Sequence, residues 1–167
     1  MAAKVPVTRF FSWISLIPQL ALIGLFCYIF YLLDFDEPFI FGGLTYCLLA
    51  ILLRNAIAKK HRQGMRLVKQ KKFAEAIPLF EKSVDYFTRH AWVDKYRYLT
   101  LLSSSGMTYK EMGLCNIAFC LSQTGNGQSA KEYYEKTIRE FPENGVAIAA
   151  LNMINSIGQQ KDRTTAV

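Results

Sequence analysis

The feature that most limits how this chain can fold is an apolar run over residues 10–33, FFSWISLIPQLALIGLFCYIFYLL, which contains no charged side chain. A helix needs about 20 apolar residues to cross the hydrocarbon core of a bilayer. A second apolar stretch, PFIFGGLTYCLLAILL, begins at Pro38 after a short acidic connection. We therefore predict a two-helix transmembrane hairpin over residues 1–58, with helices at about 10–33 and 39–58. Pro18 should kink the first helix or mark its effective start.

The charges are distributed as the topology of a membrane protein requires. Lys4 and Arg9 precede the first apolar run, and eight Lys or Arg residues with no acid lie between Arg54 and Lys72. The loop between the two runs is acidic. Because Lys and Arg concentrate on the cytoplasmic flanks of membrane helices, we expect an integral membrane protein with both termini cytoplasmic. The compact chain without targeting extensions favours a bacterial inner membrane. Membrane topology therefore accounts for the net charge of +7, and nucleic-acid binding is not needed to explain it.

The basic stretch after the second apolar run has two interpretations. It either sets the topology alone or also contacts anionic lipid head groups, which contribute about 1 kcal/mol per charge near the surface. The candidate lipid contacts are Arg54, Lys59, Lys60 and Arg62. No Gly or Pro lies between Gly43 and Gly64, so the second membrane helix is expected to continue into the first helix of the following domain.

The chain shows no motif of an enzyme. The four cysteines are Cys27, Cys47, Cys115 and Cys120; they lack the spacing of a metal or redox site and are expected to be reduced, buried apolar residues. The two histidines, His61 and His90, have no histidine four residues away, and we expect both at the surface. We predict no catalytic residue, no metal site and no cofactor.

The second half of the chain repeats a pattern of small and large residues. With Ala76 and Ala130 as reference positions, small residues lie twelve positions earlier, leucines nine positions earlier, and aromatic residues four positions later. Small residues let paired helices cross closely, and the large side chains fill the space beside the crossing. The predicted packing residues are Gly64, Leu67, Ala76 and Phe80 in the first unit, and Ala118, Leu121, Ala130 and Tyr134 in the second.

These residues resemble the tetratricopeptide repeat (TPR), a helix pair of about 34 residues. The resemblance covers AKKHRQGMRLVKQKKFAEAIPLFEKSVDYF and EMGLCNIAFCLSQTGNGQSAKEYYEKTIREFPEN, with Pro142 at the position that closes the second helix. It implies a TPR-like helical repeat domain over residues 59–160 and an all-α protein. It also implies a partner-binding groove, which in this sequence would use His61, Met65, Asn116, Phe119, Asn152 and the neighbouring Ala149. Only Asn116 fits the family's clamp for a C-terminal carboxylate.

The chain departs from the family between the two units. Ala76 and Ala130 are separated by 54 positions, which is longer than one repeat, so we predict an insertion at about 88–110. The aromatic residues Trp92, Tyr96 and Tyr98, with Tyr109, either plug the helix stack or form a partner surface. The segment after Pro142 is expected to cover the end of the stack, and residues 161–167 to form a polar tail.

Together these features predict a membrane-anchored, TPR-like adaptor or scaffold that binds a protein or peptide partner at the cytoplasmic face. The alternative is a structural or assembly subunit of a larger membrane protein complex. Two and a half repeats form a short stack, and about three units are normally needed to complete a core. The insertion, the membrane helices, a partner or self-association into a homo-oligomer would have to supply the remaining burial.

Overall fold

The structure is a computed structural model that describes residues 16–165, with side chains as far as Ser156. The prediction of an all-α fold is confirmed for this part of the chain, which contains helices and no strand. The helices are α1 (Leu16–Leu32), α2 (Pro38–Ile57), α3 (Lys59–Lys69), α4 (Phe73–Arg89), α5 (Ala91–Lys95), α6 (Arg97–Thr100), α7 (Tyr109–Gln123), α8 (Gly127–Glu140) and α9 (Gly145–Thr165). The predicted start of the first helix, residues 10–15, lies outside the described residues.

Helices α1 and α2 pack against each other and form an antiparallel hairpin. Their closest approach is at Gly42, where an added Cβ would lie 2.7 Å from the backbone nitrogen of Cys27. Gly24 and Gly43 face open space, so among these three glycines it is Gly42 that allows the close approach. At the loop end, the rings of Phe30, Phe35 and Phe41 lie 5.1 to 5.8 Å apart.

Helix α2 is the one helix in the described part of the chain with both the length and the composition to cross a membrane. It has 20 residues and a mean hydropathy of 1.7, and 11% of its apolar window is buried within the protein. Helix α1 is apolar but shorter, with 17 described residues. Pro18 lies within the described part of this helix.

Helices α2 and α3 are joined by a single residue, Ala58, where the chain bends. The prediction that α2 continues into α3 without a break is therefore wrong at this residue. The bend is not a free linker, because Ala58 is buried and its N–H donates to the carbonyl of Arg54. The Ala58 carbonyl accepts in turn from the N–H of Arg62 at 3.0 Å. The direction of the hairpin thus fixes the direction of α3.

Helices α3, α4, α7, α8 and α9 form a stack in which each helix packs against the next. Gly64 of α3 lies against the fully buried ring of Phe80 on α4, and an added Cβ would be 2.8 Å from that ring. Ala76, Ala118 and Ala130 are also fully buried. Of the remaining predicted packing residues, Tyr134 is buried, and Leu67 and Leu121 are half-buried beside the core between α3, α4 and α7.

The insertion consists of the short helices α5 and α6 and a loop over residues 101–108. Its buried side chains Val93 and Leu101 join a core cluster with Ala58, Phe87 and Tyr109. This cluster lies at the end of the stack nearest the hairpin. The turns at 70–72 and 124–126 lie at the opposite end.

At the C-terminus, α9 continues to Thr165. The predicted polar tail at 161–167 is therefore helical as far as Thr165. Residues 166–167 lie outside the described residues. Earlier in α9, Ala147 is fully buried and packs with Cys115 and Tyr134. The first turns of α9 thus cover the end of the stack.

Candidate binding surface

Met65, Asn116 and Phe119, three of the predicted groove residues, lie on adjacent helices and are partly exposed. The Asn116 side-chain nitrogen is 3.4 Å from the Met65 sulfur, which joins α3 to α7. The ring of Phe119 packs edge-on against Phe73 at 5.8 Å between centroids. We call these three residues the α3–α7 strip. Its half-exposed apolar side chains beside one amide can contact a peptide without unfolding the core.

His61 does not belong to this surface. Its exposed fraction is 6%, and its ring is edge-on to Phe80 at 5.4 Å and to Tyr109 at 5.3 Å. Burial lowers the pKa of His61 to about 4, so the ring is neutral at pH 7. The prediction that His61 lies in a groove or at the surface is wrong. Its basic neighbours in the sequence suggested exposure to solvent, but Tyr109 covers the His61 ring.

Asn152 and Ala149, the other predicted groove positions, are exposed on α9. Helix α9 reaches the stack through α8 and through the core cluster around Cys115. Both residues are accessible to a partner. No side-chain hydrogen bond in the described part of the chain joins Asn152 to the α3–α7 strip.

The basic residues at the end of α2 and the start of α3 differ in their surroundings. The guanidinium of Arg54 donates to the carbonyl of Leu101 at 3.0 Å and also to the carbonyl of Leu102. Arg54 is therefore a structural link between α2 and the insertion, and its contact with lipid head groups stays a prediction. Lys59 and Lys60 are exposed, and Arg62 is half-buried.

The aromatic residues of the insertion divide into two groups. Tyr109 is buried and stacked on Phe87 with ring centroids 4.9 Å apart, so it plugs the stack as one interpretation expected. Trp92 and Tyr96 point outwards and are exposed, and the plugging interpretation is wrong for them. Tyr98 is half-buried, with its ring 6.2 Å from that of Tyr96.

The structure also contains a cleft of about 640 Å³ that the sequence did not suggest, lined by Gly106, Met107, Glu111, Glu140, Phe141, Pro142, Glu143 and Asn144. Two of its acids are already paired. Glu111 accepts from the Asn144 amide at 2.8 Å, and Glu140 lies 2.6 Å from the ammonium group of Lys110. These pairs hold α7, α8 and the start of α9 together, which gives Glu111 and Glu140 a structural role.

The buried cysteines of the stack are packing residues. Burial raises the pKa of the Cys115 thiol to about 12 and that of Cys120 to about 11. Both thiols are therefore protonated at pH 7, and a protonated thiol is a poor nucleophile and metal ligand. The Cys115 sulfur lies 3.5 Å from the amide nitrogen of Asn144, which also positions the first turn of α9.

In comparisons with known proteins, no family model, curated protein or solved structure matches the chain. The assignment of function therefore depends on the surfaces described above.

Proposed function

We propose that the protein is a membrane-anchored adaptor, in which the α1–α2 hairpin lies in the bilayer and a TPR-like domain binds a protein or peptide partner at the cytoplasmic face. The main support is the exposed surface of the hairpin. Among the described residues, 21 large hydrophobic side chains are exposed, and 16 of them lie between Ile17 and Leu52. Contiguous apolar surface of this extent is typical of contact with lipid or with other membrane helices.

The adaptor role is supported by the α3–α7 strip. Its side chains are apolar or neutral, and helix α3 beside it carries five Lys or Arg residues and no acid. A peptide that places an apolar side chain on the strip and acidic residues beside α3 would match both the shape and the charge. Binding of this kind uses a surface that is already formed, so little ordering is required of the protein.

Extraction of membranes with alkaline carbonate tests the anchor. The full-length protein should remain in the pellet and should require detergent for release. Recovery in the supernatant without detergent would contradict the membrane assignment.

A photo-crosslinking amino acid at Phe119, introduced in intact membranes, tests the adaptor role. It should yield an adduct of defined mass, and that adduct should persist when the hairpin is exchanged for an unrelated one. The same reagent at Gln128, which is exposed at the distal start of α8, serves as the control and should yield no such adduct.

The alternative, a subunit of a larger membrane complex, is favoured by one face of α2. Ile40, Leu44, Leu48 and Ile51 are all exposed and follow helical spacing along that face. Such a stripe could pack on the helices of another membrane protein. In that case crosslinks would form from Leu48, and exchange of the hairpin would abolish the association.

A further inference from the structure

The insertion carries an exposed apolar face of its own. Trp92, Tyr96 and Leu99 have exposed fractions of 62%, 43% and 51%, and they follow one another at intervals of four and three residues. Helices α5 and α6 are nearly continuous, because the Tyr96 N–H donates to the Trp92 carbonyl and the Thr100 N–H to the Tyr96 carbonyl, both at 3.0 Å. The three side chains therefore lie on one side of a short helical segment, which we call the α5–α6 face.

Hydrogen bonds on the buried side of the α5–α6 face hold it in a fixed position. The Asp94 carboxylate is buried and accepts from the backbone N–H groups of Tyr109 at 2.7 Å and Lys110 at 2.8 Å. The Thr100 hydroxyl donates to the carbonyl of Val93 at 2.7 Å, and Arg97 donates to two carbonyls of the following loop. The exposed aromatic side chains are thus presented by a fixed support rather than by a loose loop.

The α5–α6 face is also placed beside the hairpin. Helix α6 packs against α1, and Arg54 at the end of α2 donates to the carbonyls of Leu101 and Leu102. Trp92 and Leu99 therefore belong to the part of the helix stack that adjoins the hairpin. Among the described residues, no hydrogen bond joins the distal turn at 124–126 to the hairpin.

The residue types suit the boundary between lipid and water. Tryptophan and tyrosine are enriched at the level of the head groups, because their rings are apolar and their N–H or O–H groups can meet water. Lys95 is exposed, with its ammonium group 5.7 Å from the centroid of the Tyr96 ring. Lys59 and Lys60, at the hairpin end of α3, are exposed as well. Together they would favour anionic phosphates.

We propose that the α5–α6 face is a second membrane-contact surface, which lies in the head-group region of the cytoplasmic leaflet and orients the helix stack relative to the bilayer. The proposal rests on the membrane anchoring proposed above. It commits to lipid as the partner of this face, with an anionic head group near Lys95. Contact of the same face with a protein is an outcome that the experiment below would reveal.

Tryptophan fluorescence of the full-length protein tests this proposal, since Trp13 and Trp92 are its two tryptophans. The Trp13→Phe variant leaves Trp92 as the native reporter. It is reconstituted in nanodiscs of phosphatidylethanolamine and phosphatidylglycerol. We expect lipids brominated near the carbonyl end of the acyl chains to reduce Trp92 emission about twofold, and lipids brominated near the methyl end to quench it less, as for a ring at the interface. Acrylamide should quench Trp92 weakly.

A matched control places the reporter at the distal end of the stack. The variant Trp13→Phe/Trp92→Phe/Gln123→Trp has its single tryptophan at an exposed position at the end of α7. Its emission should be quenched by acrylamide and unaffected by either brominated lipid. Similar behaviour of the two reporters would overturn the proposal.

The remaining outcomes separate this proposal from the anchoring on which it rests. If the protein resists carbonate extraction but Trp92 is quenched by acrylamide alone, the face is in water; anchoring stands and the second contact is refuted. If Trp92 is shielded from both acrylamide and brominated lipid, protein covers the face and the lipid assignment is refuted. If carbonate releases the protein, both proposals fail together.

Discussion

The contact between Gly64 and Phe80 shows how a single absent methyl group determines the distance between α3 and α4. A Cβ at position 64 would lie 2.8 Å from a ring that is itself fully buried, so neither group can move without repacking. We expect Gly64→Ala to lower the free energy of unfolding by about 1–3 kcal/mol through overpacking. This loss outweighs the gain of up to about 1 kcal/mol from the higher helix propensity of alanine.

Thermal unfolding of the full-length protein in detergent, followed by circular dichroism, measures the effect. Gly127→Ala is the matched control, because nothing lies within 4 Å of a Cβ added at this helix start. It should be neutral or slightly stabilising. Equal midpoints for Gly64→Ala and the native protein would show that the two helices are not in close contact at this point.

The buried ring of His61 should make stability depend on pH. Unfolded histidine takes up a proton near pH 6.5, whereas burial holds the folded pKa of His61 at about 4. Between these values the unfolded state binds more protons, so the free energy of unfolding falls as the pH falls. The expected loss from pH 7.5 to 4 is about 3 kcal/mol.

His61→Phe should flatten this part of the profile, since phenylalanine can pack between Phe80 and Tyr109 without a proton to bind. Denaturant unfolding at several pH values gives the difference between variant and native protein. His90→Gln replaces the exposed histidine as a control and should keep the native slope. A native slope in His61→Phe would mean that another group causes the acid sensitivity.

At the scale of the element, the start of α7 is capped from two directions. Thr108 and Glu111 form a capping box, in which the Thr108 hydroxyl accepts from the N–H of Glu111 at 3.1 Å. The N–H groups of Tyr109 and Lys110 donate to Asp94. All three N–H groups of the first turn therefore have acceptors. Burial raises the pKa of Asp94, and the hydrogen bonds from these N–H groups oppose that rise.

We expect Asp94→Ala to lower the free energy of unfolding by about 2–4 kcal/mol, because it leaves two N–H groups at a buried helix start without an acceptor. Amide hydrogen exchange should rise at Tyr109 and Lys110 in particular. Asp85→Ala, which removes an exposed ion pair with Arg89, should cost less than about 1 kcal/mol. Unchanged exchange in the first turn of α7 would contradict the assigned role of Asp94.

Helices with a strong hydrophobic period were predicted well from the sequence. Elements without such a period were predicted poorly. The spacing of Gly64, Ala76 and Phe80 was sufficient to place α3 against α4. Helices α5 and α6 have five and four residues, too few to show a 3.6-residue period. The sequence therefore predicted the approximate bounds of the insertion but not these two helices. Thr-x-x-Glu at 108–111 is a typical helix start, and this pattern alone marks the first residue of α7.

The candidate binding surface was less predictable because burial depends on residues distant in sequence. Met65 and Asn116 lie together across 51 positions, as the repeat spacing suggested. His61 shares the same region but is covered by Tyr109, the first residue of α7 directly after the insertion. The role of Arg54 was hidden for a similar reason, since its acceptors are carbonyls of a loop that has no regular pattern.

At the scale of the whole molecule, the bend at Ala58 and the bonds from Arg54 connect the hairpin to the helix stack. The orientation of the stack should therefore follow from the topology of the hairpin. The loop at 33–37 carries three acids, and the basic α3 lies at the other end. We expect the loop outside the cell and the stack inside, because positive charge is retained on the cytoplasmic side.

Cysteine labelling in spheroplasts measures this arrangement in a variant whose native cysteines are replaced by alanine. If the predicted topology holds, a membrane-impermeant maleimide labels Asp36→Cys in intact spheroplasts, because position 36 would lie outside. It then labels Gln123→Cys only after permeabilisation, because the distal end of the stack would face the cytoplasm. Both positions are exposed on the protein surface, so labelling depends on the side of the membrane that each position faces and not on burial. Labelling of Gln123→Cys in intact spheroplasts would show that the topology is the reverse of the predicted one. Trp92 and Tyr96 would then contact the outer leaflet and not the proposed cytoplasmic one.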